Sequence, residues 1–317
     1  MTGMNDRFNH IVPSGAGMPP TAPGAGLQAR LRVDAYTVPT SEAELLSRKN
    51  GIALMLGVAA GMALLTVRMS PIPQPASYHT FADQRRWLGI SNFWNVISNL
   101  PFAIVGVWGI AFILRSGTVD QKKRFLDPRE RWPYIAAFCG LVLTAFGSAY
   151  YHLAPSNARL VWDRLPMTIV FGSIVAALIA ERISVRAGVM LLPWLIAFGA
   201  ASVLEWYWTE LRGHGDLRIY AAVQIYSALA LLMALLLPAR YTRGFYFAIV
   251  FGFYVLAKLF ESFDRAIYSA GHLLSGHTLK HLAAAAAGYC ILRMLQLREP
   301  LSGNSSGINI TALSSSK

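Results

Sequence analysis

Charge is scarce in this chain. Only 14% of its 317 residues are Asp, Glu, Lys or Arg, and 55% are hydrophobic, whereas soluble domains carry about 25% charged residues. That deficit excludes the one or two ordinary soluble domains that the length alone would suggest. Acidic residues are the scarcer sign, 16 against 28 basic ones, for a formal net charge of +12. The basic excess does not indicate nucleic acid. No basic, aromatic-interleaved soluble module exists to carry such binding, and the basic residues sit mostly between apolar runs. Cysteine is nearly absent. Cys139 and Cys290 both fall inside apolar runs, which excludes a disulfide framework and reads as two buried small hydrophobes.

What the sequence has in abundance is long uncharged stretches, and they predict an all-α polytopic membrane protein. Residues 1–50 hold Pro19, Pro20, Pro23, Gly24 and Gly26 with no sustained apolar period, so a disordered cytoplasmic tail is expected there. Its last part, 41–49, is short, polar and compatible with a helix. The next segment, 51–69, is uncharged from Gly51 to Val67. A span needs about 20 residues, so this segment is read as an N-terminal anchor helix. It lies too far into the chain for a signal peptide. Seven further spans are expected at about 91–114, 133–154, 160–181, 187–207, 217–238, 243–262 and 275–296. The 299–317 tail is rich in Ser, Gly and Asn, and disorder is expected there too.

Basic residues orient these spans. With the N-terminus inside, eighteen of the 28 Lys and Arg fall in inner segments and seven in outer ones, leaving Arg164, Lys258 and Lys280 within spans. The bias predicts eight spans with both termini cytoplasmic. The cluster Trp206-Tyr207-Trp208 fits an aromatic belt at the membrane–water boundary.

Ionisable side chains inside a bilayer are costly unless paired or facing a cavity, so their positions are the sharpest functional signal. Ser148 and His152 stand four apart near the outer end of the third span, on one helix face. Asp163 and Arg164 open the fourth span, and His277 and His281, again four apart, open the last. The orientation brings His152, Asp163, His277 and His281 to one depth, near the outer face. Three histidines from two helices fit a zinc site with an open fourth position, and a nearby carboxylate suits a proton acceptor or an outer partner. Each residue alone has a plainer reading. Either histidine of the last span could bond to a neighbouring helix, Ser148 could bond back to its own helix, and Asp163 could pair with Arg164 or cap its helix. Lys258 and Glu261 could neutralise each other, or contact a headgroup with Asp264. Lys280 is expected to snorkel outward or meet Glu261.

Taken together, Ser148-x3-His152, Asp163 within Asp-Arg-Leu-Pro-Met, and His277-x3-His281 resemble the alkaline ceramidases. They also fit the wider superfamily that includes the progestin and adiponectin receptors. The segment Asn92-Phe93-Trp94-Asn95-Val96-Ile97-Ser98-Asn99-Leu100 is similar to the family's first core span, and the likeness covers residues 78–296. The resemblance implies a ceramidase-like seven-helix membrane domain, to which 51–69 would add one N-terminal transmembrane helix. It implies Zn2+ held by His152, His277 and His281, with Ser148 and Asp163 as catalytic residues. Calcium does not carry over well. The eukaryotic members have an acidic calcium site before this core span, where this chain reads Asp83-Gln84-Arg85-Arg86-Trp87 and has Asn92 in place of an acid.

The resemblance thus implies a zinc-dependent hydrolase that cleaves the amide of ceramide or a similar N-acyl membrane lipid, within sphingolipid or related lipid metabolism. The bilayer and the lipid substrate are its expected partners, and the active site is expected towards the non-cytoplasmic face. In that role Asp163 would move a proton and Ser148 would hydrogen-bond the developing oxyanion or the water. The alternative is a seven-helix receptor or sensor in which zinc braces the bundle without turnover. The Ser148–Asp163 supplement favours the enzyme, because a bracing metal would not require it.

Overall fold

A computed structural model describes residues 42–115 and 124–301. Among the described residues the chain is all-helical, with no strand beyond isolated bridges. The helices are α1 (Glu42–Arg68), α2 (Phe93–Ile97), α3 (Leu100–Leu114), α4 (Arg131–Leu153), α5 (Asn157–Arg182), α6 (Val185–Leu211), α7 (Arg218–Leu235), α8 (Tyr246–Ser262), α9 (Asp264–Gly271) and α10 (Gly276–Leu297).

Local sequence sets their ends. Ser156, Ser184 and Ser275 cap α5, α6 and α10, each side chain accepting from the backbone N–H three residues on, which satisfies a donor the helix itself leaves free. The span expected at 91–114 is broken at Ser98-Asn99 into α2 and α3. Pro101 sits in the first turn of α3, where a missing N–H does no harm. Pro166 and Pro193 lie inside α5 and α6, as neighbouring helices allow in membrane bundles.

Among the described residues six stretches, Phe93–Leu114 counted as one, are long and apolar enough to cross a membrane. A seventh is reached if α8 and α9, bent by 72° at their junction, form one span. This marks an integral membrane protein, with a smaller count than the eight spans expected. The difference lies at the last expected span, where α10 has the length. Its first two turns carry His277, Lys280 and His281, and its middle is a run of five alanines. Those three residues, with Arg293 and Gln296 near the other end, lower its mean hydropathy.

Two other expectations change. Residues 42–50, placed with the tail, continue without a break into the anchor as α1. Glu, Ala and Leu there are strong helix formers, and Gly51 lets the helix approach Leu237, whose side chain a Cβ at that position would strike at 1.8 Å. At the other end, residues 299–301 are tied to the α7–α8 turn, with Thr242 N donating to Glu299 O at 2.8 Å and Leu301 N to Arg240 O at 2.9 Å. The rest of the expected tails, 1–41 and 302–317, and the 116–123 part of the inner loop lie outside the described residues.

α5 packs between α4 and α6, and α10 against α8 and α3. α5 is the most buried of the apolar helices and α1 the least, at 61% and 11% of their apolar stretches, so α1 is peripheral, leaning on α7. The short turns 154–156 and 183–184 make α4, α5 and α6 antiparallel neighbours. The C-terminal end of α4 therefore meets the N-terminal end of α5. An aromatic cluster of Phe81, Tyr151, Trp206 and Tyr220 fills that end, beside the larger core of Phe138, Leu141, Val175 and Leu292. Trp206 is wholly buried in it while Trp208 is about half exposed. The expected aromatic belt is therefore split, because residues two apart fall on nearly opposite sides of a helix.

Candidate metal centre

His152, at the end of α4, and His277 and His281, on the first two turns of α10, are buried. Their ring centres are 4.8, 4.9 and 4.9 Å apart, and one nitrogen from each lies within 4.8 Å of the other two. Three buried histidines so placed could hold a metal ion. The donor set bears this out. His152 Nε2 and His277 Nε2 are 3.3 Å apart, and two imidazole nitrogens on one tetrahedral ion at about 2.0–2.1 Å stand about 3.3–3.4 Å from each other.

The third histidine is oriented from α2. Ser98 Oγ donates to Asn95 O at 3.2 Å and stands 2.8 Å from His281 Nδ1. With its proton directed to the carbonyl, the hydroxyl accepts from Nδ1–H, which assigns the neutral tautomer with a lone pair on Nε2. Such an outer partner is the usual companion of a ligating imidazole. His152 differs, since its Nδ1 is buried without a partner among the described residues. Phe81 covers the cluster, its ring centre 4.7 Å from that of His152 and 4.6 Å from that of His277.

Two glycines let the helices approach. A Cβ on Gly147 would lie 1.9 Å from the Trp162 carbonyl oxygen, so only glycine permits the α4–α5 contact that joins the residues flanking it. There Ser148, one turn from His152, lies against the Asp163 carboxyl. Both are buried. The sequence alternatives for Asp163, a cap or a pair with Arg164, are not what forms, since Ser156 is the cap and Arg164 reaches Gln74. On the other side, a Cβ on Gly276 would meet the Phe260 carbonyl oxygen at 2.1 Å. Asp264, which had only a headgroup reading, accepts from His277 N at 2.7 Å and from Ala82 N at 2.9 Å. It thereby ties the first turn of α10 to the segment that carries Phe81.

Glu261 accepts from Lys258 at 2.9 Å and from Lys280 at 2.8 Å, so of the two fates expected for Lys280 it meets Glu261. Tyr78 donates to the same carboxylate at 3.3 Å. Burial, then the neighbouring Glu261 charge, push the Tyr78 phenol above its ordinary value, which keeps it a donor. His79 bridges the Tyr151 hydroxyl at 2.9 Å and Asn157 Oδ1 at 2.7 Å.

The region compared with a calcium site is also occupied by protein contacts. Arg85 takes both carboxylate oxygens of the buried Asp83, at 2.9 and 2.6 Å. Asn92, at φ 49°, donates its amide to His152 O at 2.9 Å. An ionised carboxylate at that position could not donate.

Sequence reasoning missed Ser98, Asn95, Asn92 and Phe81. The available signal was the polar set Asn95, Ser98 and Asn99 inside an otherwise apolar run, at the depth of the histidines. Compared with known proteins, the sequence matches no family model and no curated protein.

Proposed function

We propose that the chain is a zinc-dependent membrane hydrolase that cleaves the amide bond of ceramide or a similar N-acyl lipid and releases a fatty acid. The observation that carries this reading is the junction of two buried groups on α4: the three-histidine cluster and, one helical turn from His152, the Ser148–Asp163 pair. A metal that only braced a bundle would need the first and not the second.

When bound, zinc would supply a Lewis acid for an amide carbonyl and a water acidic near neutral pH. His152, His277 and His281 would hold it, and Ser98 keeps the His281 lone pair turned to it. Asp163 then acts on the proton inventory, accepting a proton from the attacking water and delivering it to the departing amine nitrogen. Ser148 holds the Asp163 carboxyl in one orientation and has a hydroxyl to offer the oxygen on which charge develops. Phe81 and the surrounding apolar side chains exclude bulk water.

The same reading adopts a seven-helix core of alkaline ceramidase type, with α1 as an added anchor and α10 as the last span. It also takes both termini to be cytoplasmic and the site to lie at the opposite face, a reading supported by the charge bias and the alternation of helix directions. Fatty-acid release from a panel of N-acyl lipids by the zinc-loaded protein in detergent tests the activity. Release from at least one lipid is expected. No release across the panel, with zinc present, would shift the reading to a receptor or sensor with a structural metal.

A further inference from the structure

Arg164 departs from the pattern of the other buried charges. Among the described residues Arg164, Arg182 and Arg298 are the buried arginines. Arg182 and Arg298 each meet Glu181, at 3.5 and 2.9 Å. Arg164, only 4% exposed, forms no ion pair among the described residues. Its guanidinium lies in an aromatic box, with Cζ 4.1 Å from the Trp206 ring centre, 5.0 Å from Tyr220 and 5.5 Å from Tyr78. Rings steady a cation through their quadrupoles, but they offer no acceptor to the in-plane N–H groups.

Nη2 donates to Gln74 Oε1 at 2.5 Å. Arg164 Nη1, Gln74 Nε2 and Trp206 Nε1 remain, all buried and all without a partner among the described residues. They belong to one neighbourhood, since Gln74 Nε2 is the other end of the amide that Arg164 holds and Trp206 lies against the guanidinium. Glu205, the acid beside Trp206, has Asp216 and Arg218 as its charged neighbours instead. A buried positive charge with three N–H donors and no acceptor matches an oxyanion, and a guanidinium's fork suits a carboxylate or a phosphate.

The box also adjoins the histidine cluster. Arg164 follows Asp163 on α5. Tyr78, one wall of the box, donates to Glu261, which also holds Lys280, three residues beyond His277. We propose that Arg164, with Gln74 and Trp206, binds an anionic group, carboxylate or phosphate, on the amine half of the lipid whose amide meets the histidines. The identity of that lipid rests on the hydrolase reading. The substrate is then an N-acyl lipid with an anion close to its amide, and neutral ceramide is the poorer one.

Matched lipids test this on the full-length, zinc-loaded protein in neutral detergent: N-palmitoylglycine against N-palmitoylglycinamide, and phosphorylated N-palmitoylethanolamine against the free alcohol. Palmitate release reads turnover, and the melting temperature at equal lipid concentration reads binding without it. The anionic member of at least one pair is expected to be cleaved at least tenfold more efficiently in kcat/KM, and to raise the melting temperature more. Arg164→Gln should bring that ratio towards one, mainly through KM. Trp206→Phe, which keeps a ring and removes one donor, should lower it several-fold.

Equal turnover and equal melting within both pairs for the parent protein would overturn the proposal, even if the Arg164 variant fails to fold. Equal release from both members would keep the hydrolase and remove the anion site. Preferential binding of the anionic member without release would keep the anion site and remove the hydrolase. Stabilisation by acetate or inorganic phosphate as large as that by the anionic lipid would assign the box to a free anion and overturn the lipid assignment.

Discussion

The bundle buries polar groups at both ends, and the two ends treat them differently. At the end opposite the histidines, Glu130 takes Arg240 at 2.7 Å on one oxygen and Tyr241 on the other. Glu181 takes Arg182 at 3.5 Å on one oxygen, and Tyr134 at 3.0 Å and Arg298 at 2.9 Å on the other. Every carboxylate oxygen there is matched within the chain. At the histidine end the imidazoles bring nitrogens together, His152 Nε2 facing His277 Nε2 at 3.3 Å, and Asp163, with Lys280, Ser148 and Arg164 as its neighbours, closes no direct ion pair among the described residues. Buried ion pairs lock helices and loops to one another. Converging lone pairs need something from outside the chain. The first end therefore reads as structure and the second as a site.

That contrast can be broken by mutation. The largest expected effect is on the metal, since the His277→Ala, His281→Ala double variant should lose essentially all zinc from a parent holding about one ion per chain. Metal analysis of the purified proteins checks it, and unchanged zinc would remove the site. Next comes Glu181→Ala, which takes its ion-pair partner from buried Arg182 and leaves buried Arg298 only Glu130 at 3.9 Å, and should cost about 3–5 kcal/mol. A clear fall in melting temperature in detergent is expected, with zinc content held at the parental level. A loss of zinc in step with stability would show that the two ends are not separable. Smaller again is Ser98→Ala, which takes the partner from His281 Nδ1 and should weaken zinc about 10–100-fold. Competition with a chelator of known affinity measures it, and an unchanged constant would return Ser98 to a packing role.

The two ends also differ in how far they were legible beforehand. His277 and His281 betray a shared face by their spacing, Ser148 and His152 do the same, and counting basic residues sets all of them at one depth. Those signals are local or cumulative, so one chain suffices to see them. The contacts that orient the site span great distances in sequence. Ser98 meets His281 across 183 residues, and Asn92 meets the His152 carbonyl across 60. Asp264 reaches the first turn of α10 only because α9 turns away from α8 by 72°. No periodicity announces such pairs. Arg164 was visible as an intramembrane charge, but its aromatic box draws on the 74–78 segment, α6 and α7, and so exists only in the folded chain. The ion-paired end was the least legible of all. Its arginines counted in sequence only as inner-segment charge, and only the folded chain brings them to Glu130 and Glu181.

The most direct measurement is palmitate release and zinc content on the same samples of parent and Asp163→Asn, using the best-cleaved lipid of the panel. An asparagine at 163 can still hydrogen-bond Ser148 but cannot carry the proton. Zinc should stay at about one per chain while turnover falls by about 10²–10⁴-fold, the usual worth of a general acid–base group. Equal turnover in the two proteins, at equal zinc, would contradict the mechanism assigned to this site.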